Sequence, residues 1–246
     1  MSTTRAVSFD LDGTLCDHQE AIRRSFDAGL GLLETLLPGL PAIEVRKSFS
    51  SVGLRMKRLT DAAGLPWWPV EDQWAETLRQ VGVVCSADEV EQVSAVFMRT
   101  LHDTTVPFPD ARETLARVRR SGLPVGVLTN GSSGTQLRKL RVSGLAGLVD
   151  QVVVSEDLGV HKPDAGAFLA MARALGVPVS ALVHVGDDLL HDVEGAVAAG
   201  ARAIWVCRSA AATGTVEQQA PRPNCPSPRV DRLGDVLAVL DGRLPG

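Results

Sequence analysis

Short apolar runs, four residues or so in length and without polar alternation, recur at Ala6–Phe9, Val125–Leu128, Val152–Val154, Leu182–Val185 and Ala203–Val206. Each is rich in Val, Leu or Ile, the pattern of strands buried on both faces of a parallel sheet. Between them apolar residues return at spacings of three and four. Ala111–Ser121 carries Leu115 and Val118 and stops at Gly122. Asp164–Leu175 carries Phe168, Met171 and Leu175 and stops at Gly176. Asp192–Ala199 gathers Val193, Ala196 and Val197 before Gly200. Apolar stripes ended by glycine predict helices. Strand and helix alternate from residue 110 to about 206, which predicts a doubly wound α/β sheet.

The stretch from about 17 to 103 has a different rhythm. Ile22, Phe26, Leu30, Leu33 and Leu37 fall at helical spacing, as do Val90, Val93, Phe97 and Leu101, and no buried-strand run interrupts them. Proline-containing breaks at Leu37–Pro41 and Leu65–Pro69 divide the stretch into several helices. A helical block inserted after the first strand is expected above that strand's carboxyl end, where open α/β sheets bind ligands. The expected division is therefore a discontinuous core, 1–16 with 104–246, and a helical cap, 17–103. Residues 209–228, rich in Ala, Pro, Ser and Gln, read as a loop. Val230–Leu240 predicts a last short strand and helix.

Composition narrows the function more than the fold. The 246 residues are 45% hydrophobic and 22% charged, as in ordinary globular proteins, with room for one sizeable core and an accessory domain. A formal charge of −4 offers no general attraction for nucleic acid or anionic membrane. No apolar run approaches the roughly 20 residues of a membrane span. Met1–Val7 lacks the apolar region of a secretory signal. Cys16, Cys85, Cys207 and Cys225 form no CxxC pair, so neither zinc nor a disulfide framework is expected. The expected location is the cytoplasm.

The sharpest string is Phe9-Asp10-Leu11-Asp12-Gly13-Thr14-Leu15. Two carboxylates follow a buried strand, and a glycine permits the chain to curl back. Anions so close repel unless a cation or a proton sits between them. A bare pair of this kind also suits an acidic turn leaving a strand. Three further strings share the placement at element ends: Leu128-Thr129-Asn130-Gly131, His161-Lys162-Pro163-Asp164, and Gly186-Asp187-Asp188-Leu189-Leu190-His191-Asp192.

In that order the four strings resemble the motifs of the haloacid dehalogenase-like (HAD) superfamily, in the branch with a helical cap between motifs one and two. The resemblance covers nearly the whole chain. It implies a Rossmann-like core and a phosphatase that forms an aspartyl-phosphate on Asp10. It implies Mg²⁺ held by Asp10, the backbone carbonyl of Asp12 and Asp187, oxygen ligands that suit a hard cation. Asp12 becomes the general acid and then the base. Thr129, Asn130 and Lys162 hold the phosphoryl oxygens, with Thr129 and Lys162 also counted as catalytic. Asp192 either supports the metal or anchors Lys162.

The superfamily also contains dehalogenases and phosphomutases. Expelling halide needs no general acid, and the dehalogenase-type site uses no metal, so Asp12 and Asp187 favour phosphoryl transfer. A mutase, or a non-catalytic phosphate-binding protein on the same scaffold, is the alternative; Thr14 after the glycine favours the phosphatase. The expected partner is a small phosphorylated metabolite. Hinges are expected near Leu15–Asp17 and Leu101–Pro107. Asp187 or Asp188 also suits a helix N-cap. His161, His184 and His191 have no ligand-like spacing, and Cys16 reads as packing. Trp67, Trp68 and Trp74 read as cap packing, and Arg55, Lys57 and Arg58 as a solvated helix face.

Overall fold

The computed structural model describes residues 4–63, 68–208 and 227–242. It divides into two compact units, residues 1–20 with 105–246 and residues 21–104. The loop expected at 209–228 lies outside the described residues apart from Ser227 and Pro228, as does Trp67.

The larger unit is built on six parallel strands. These are β1 (Ala6–Phe9), β2 (Val125–Thr129), β3 (Gln151–Val154), β4 (Leu182–Gly186), β5 (Arg202–Val206) and β6 (Arg229–Val230). Their order is β3-β2-β1-β4-β5-β6. β1 pairs with β2 on one side, Phe9 against Val127, and with β4 on the other, Phe9 against Val185. The strands are short and mostly apolar because the central ones are covered on both faces. Val7 and Phe9 pack into one core with Leu115, Val118 and Val236, whereas Ala6 packs into another with Phe168, Met171 and Ala196. The first core is sealed by the helix α5 (Ala111–Arg120), the second by α8 (Ala165–Ala174). After β1 the chain builds β2 and β3 to one side and then crosses to β4. The sheet therefore has its switch point at β1, and a crevice opens at the carboxyl ends of β1 and β4.

The smaller unit is helical. Most of α1 (His18–Leu36) belongs to it, with α2 (Ala42–Ala63), α3 (Val70–Gln80) and α4 (Ala87–Asp103). Its centre is aromatic. Trp74 is fully buried, its ring 5.4 Å from Phe26 and 4.5 Å from Phe49, and Phe97 lies edge-on to it. Trp68 donates its indole N–H to Gln73. Arg55, Lys57 and Arg58 lie on an exposed stretch of α2, where Arg55 meets Glu76 at 2.6 Å. No helix among the described residues is long and apolar enough to cross a membrane.

Candidate active site

Three of the four motif strings leave strands at the same edge of the sheet. Asp10 follows β1, Thr129 closes β2, and Asp187 follows β4. Lys162 enters from the segment between α7 (Ser155–Leu158) and α8. Its Nζ donates to Asp10 Oδ1 and to Asp192 Oδ1, each at 2.6 Å. An ammonium this deeply buried is tolerated only beside anions. Burial works against its charge, but Asp10 and Asp192 outweigh that and hold its pKa above the ordinary lysine value.

Asn130 serves Lys162 directly. Its side-chain Oδ1 accepts from the Lys162 backbone N–H and its Nδ2 donates to the Lys162 carbonyl, both at 2.9 Å. The side chain expected on a phosphate thus clamps the backbone of the lysine. Thr129 is buried, and its Oγ1 accepts from Gln136 Nε2 at 3.0 Å.

Of the carboxylates that meet Lys162, Asp192 is the more heavily supported. Beside Lys162, its Oδ1 lies 3.2 Å from His184 Nε2, and its Oδ2 accepts from the Asp188 backbone N–H at 3.0 Å. Burial opposes its ionisation, but Lys162 and His184 hold its pKa far below the usual carboxylate range. Burial pushes His184 below the ordinary imidazole value. The neutral ring satisfies both its contacts with the proton on Nε2, leaving Nδ1 to accept from Ser8 at 2.9 Å. Sequence spacing assigned His184 nothing; its signal was its place inside a buried strand.

The turn after β4 is wider than an α-helical one. Residues Leu189–Glu194 form a π-helical turn, with the Val193 N–H reaching back to the Asp188 carbonyl, before a short α9 (Gly195–Ala198). Such turns aim side chains unusually, and here Asp192 folds back against Gly186, where a Cβ would collide with its carboxylate. Asp188 is the N-cap, its Oδ1 accepting from the N–H groups of Leu190 and His191. His191 adds an ion-pair contact at 3.1 Å. Although burial resists its charge, Asp188 is drawn down to about 2 by His191.

Asp187 is differently placed. Thr14 donates to its Oδ1 at 2.8 Å, yet it has no ion-pair partner among the described residues. Burial, then Asp10 and Asp192, push its pKa well above the carboxylate range. Burial likewise outweighs Lys162 at Asp10, pushing it up to about 7. Gly13 makes room for this arrangement, with φ at 88° and the Asp187 carboxylate where a Cβ would stand.

Oxygens of Asp10, Asp187 and Asp192 all lie within 4.8 Å of one another. Three carboxylates share one ammonium, a deficit that a divalent cation offsets. The donors are hard oxygens, as Mg²⁺ requires. Because Asp192 is already satisfied, Asp10 and Asp187 are the carboxylates available to such an ion. The Asp12 carboxylate turns elsewhere. Its Oδ2 accepts from Lys139 Nζ at 2.7 Å and from Gln136 Nε2 at 3.0 Å, and His18 Nδ1 stands 3.4 Å from its Oδ1. Burial resists ionisation here too, but Lys139 and His18 draw Asp12 well below the carboxylate range. None of Lys139, Gln136 and His18 belongs to a motif string. Cys16 is buried in the core, its thiol pushed up to about 12 by burial.

Comparison with known proteins agrees with this geometry. A family model described as haloacid dehalogenase-like hydrolase matches residues 4–200. A glyceraldehyde 3-phosphate phosphatase of Methanopyrus kandleri is 33% identical over 251 residues, covering 96% of this chain and 97% of the relative. Phosphatase MT3486 of Mycobacterium tuberculosis is 33% identical over 247 residues, covering 98% of each. Among solved structures, the magnesium-bound HAD-hydrolase YfnB of Bacillus subtilis has a TM-score of 0.77 at 20% identity, covering 97% of this chain and 99% of that one, which is a likeness of fold.

Proposed function

The chain belongs to the haloacid dehalogenase-like hydrolase family and to its phosphatases, and we propose that it hydrolyses a small phosphate monoester through an aspartyl-phosphate on Asp10. The observation that carries this reading is the pair Asp10 and Asp187. Both carboxylates lie in one cluster: Asp10 is buried and held by Lys162, whereas Asp187 is half-buried and has no counter-charge among the described residues. Mg²⁺ would be held by Asp10, Asp187 and the Asp12 carbonyl, and would supply the positive charge that offsets the repulsion between a carboxylate and a phosphoryl group.

The remaining chemistry belongs to the chain. Lys162 fixes the orientation of Asp10 and offsets part of the phosphoryl charge. Thr129, whose oxygen accepts from Gln136, would turn its own proton from the Asn130 carbonyl, a long 3.4 Å away, to a phosphoryl oxygen. Asp10 attacks phosphorus and the bond to the leaving oxygen breaks. Asp12 gives that oxygen a proton, then takes one from the water that attacks the aspartyl-phosphate, and the Asp10 carboxylate is restored with release of phosphate. In the unliganded protein Lys139 and His18 keep Asp12 ionised. A phosphate dianion brought beside it raises its proton affinity, since like charges disfavour ionisation.

The smaller helical unit is proposed as the cap that selects the leaving group. The substrate class is a small organic phosphate, such as a sugar phosphate, phosphoglycolate or nucleoside monophosphate. The test is phosphate release from a panel of such esters, with Mg²⁺ and with EDTA, by wild type and Asp10→Asn. Turnover that EDTA stops, Mg²⁺ restores and Asp10→Asn abolishes is expected. Turnover that survives the substitution places the nucleophile elsewhere.

A further inference from the structure

The motif carboxylates Asp10 and Asp12 are held by different lysines. Lys162 takes Asp10; Lys139, outside the motif strings, takes Asp12. Lys139 lies on α6 (Ser133–Val142), one turn beyond Gln136, and both side chains are buried. Lysine is among the residues least often buried, and an interior ammonium needs an anion in contact. The contact is Asp12 Oδ2, at 2.7 Å from Lys139 Nζ and 3.0 Å from Gln136 Nε2. Gln136 Nε2 also lies 3.0 Å from Thr129 Oγ1 and 2.6 Å from the Asn130 carbonyl, which ties the Asp12 anchor to the end of β2. Among the described residues, the other oxygen of Asp12, Oδ1, is buried without a hydrogen-bond donor, and His18 Nδ1 at 3.4 Å is its nearest ion-pair contact.

We propose that Lys139, with Gln136, is a positioning residue that pins Oδ2 of Asp12 and so leaves Oδ1, the oxygen without a donor, to exchange a proton with the leaving group and with water. This rests on the phosphatase reading above. The proton passes from Asp12 Oδ1 to the departing alkoxide as the P–O bond breaks, and returns to the same oxygen from the attacking water. Lys139 touches neither substrate nor phosphorus and acts through Asp12. Two separate ammonium anchors also prevent Asp10 and Asp12 from competing for one cation, so nucleophile and acid keep distinct orientations.

The experiment follows leaving-group dependence. kcat/KM is measured with Mg²⁺ for wild type, Lys139→Met, Asp12→Asn, the double variant and Asp10→Asn. The esters run from alkyl phosphates, whose alkoxide must be protonated, to 4-nitrophenyl phosphate, whose phenolate leaves unaided. Lys139→Met is expected to lose on the order of 10²-fold on alkyl esters, as positioned acid catalysis is lost, and several-fold at most on the aryl ester. In the Asp12→Asn background the same substitution is expected to add little, because both act through one oxygen pair. An equal loss on every ester, or full additivity with Asp12→Asn, overturns the proposal while leaving the phosphatase intact. Absent wild-type turnover, or turnover that persists in Asp10→Asn, overturns both. If Lys139→Met melts below the assay temperature, Lys139→Arg is run over the same series. It keeps the charge and moves the donor, and the same selective loss on alkyl esters is expected.

Discussion

On the proposed reading Thr14 separates metal binding from chemistry, because its buried hydroxyl touches Asp187 and no group that forms or breaks a bond. Thr14→Val keeps the shape and removes the donor that orients Asp187 Oδ1. Supports of this kind are worth about 10- to 100-fold in metal affinity. Titration of activity with Mg²⁺ is expected to show that rise in the half-saturating concentration, with kcat recovered to within a few-fold at saturation; an unchanged midpoint would remove Thr14 from the site. At this scale the gathering of Asp10, Thr129, Lys162 and Asp187 was legible because each stands at an element end within a recognisable string. Lys139 was not. In Gln136-Leu137-Arg138-Lys139-Leu140 the pattern points the wrong way: Leu137 is 40% exposed and Lys139 only 3%. A lysine's burial is decided by an anion 127 positions earlier in the chain, and local periodicity carries no trace of that. The usable signal was that Gln136, Lys139, Leu140 and Ser143 share one helical stripe.

Elements were more legible than their ends. The five apolar runs became strands within a residue or so, since a strand covered on both faces leaves no other reading. The π-helical turn at Leu189–Glu194 was hidden, because it is set by Asp188 capping from below while Asp192 is drawn back to Lys162. In the helical unit, α4 begins with a capping box in which Ser86 and Glu89 satisfy each other's backbone N–H groups. The pairing of α2 with α3 rests partly on Glu76, whose carboxylate meets Arg79 at 2.7 Å and Arg55 at 2.6 Å. Hydrogen bonds from Arg79, then Arg55, lower the pKa of Glu76 to about 2. A lowered carboxylate stabilises the fold above the unfolded value near 4.5 and loses that contribution as pH falls toward 2. The melting temperature of Glu76→Gln is therefore expected to lie below wild type at pH 6 and to converge with it near pH 2. The gap should be small and narrow in high salt, as exposed pairs do. A gap that persists unchanged at pH 2 would assign the difference to packing.

At the scale of the whole molecule the alternation of strand and helix made the fold class legible, whereas the order β3-β2-β1-β4-β5-β6 is a long-range fact that no single run contains. That order sets β1 and β4 side by side and so places Asp10 against Asp187. The consequence is a fold that stores like charge at its centre: among the described residues, three carboxylates gather around the one ammonium of Lys162. Most substitutions at buried polar positions destabilise a protein. Here the opposite sign is expected for Asp187→Asn in EDTA at pH 8, because the amide keeps the shape and the Thr14 contact while removing one uncompensated anion. Its metal-free melting temperature should exceed that of metal-free wild type. Mg²⁺ should then reverse the ranking. An ion that binds only the folded state stabilises it by about 2.7 kcal/mol at a hundredfold excess over Kd. Wild type gains this, and Asp187→Asn, lacking the ligand, gains little. Calorimetry of both proteins with and without Mg²⁺ reads all four values. A metal-free Asp187→Asn less stable than wild type would mean that the carboxylate is satisfied by the fold itself. An undiminished Mg²⁺ shift in the variant would move the ion away from Asp187. The predicted crossing, stability traded against metal binding at one residue, is what a site organised around an ion rather than around packing requires.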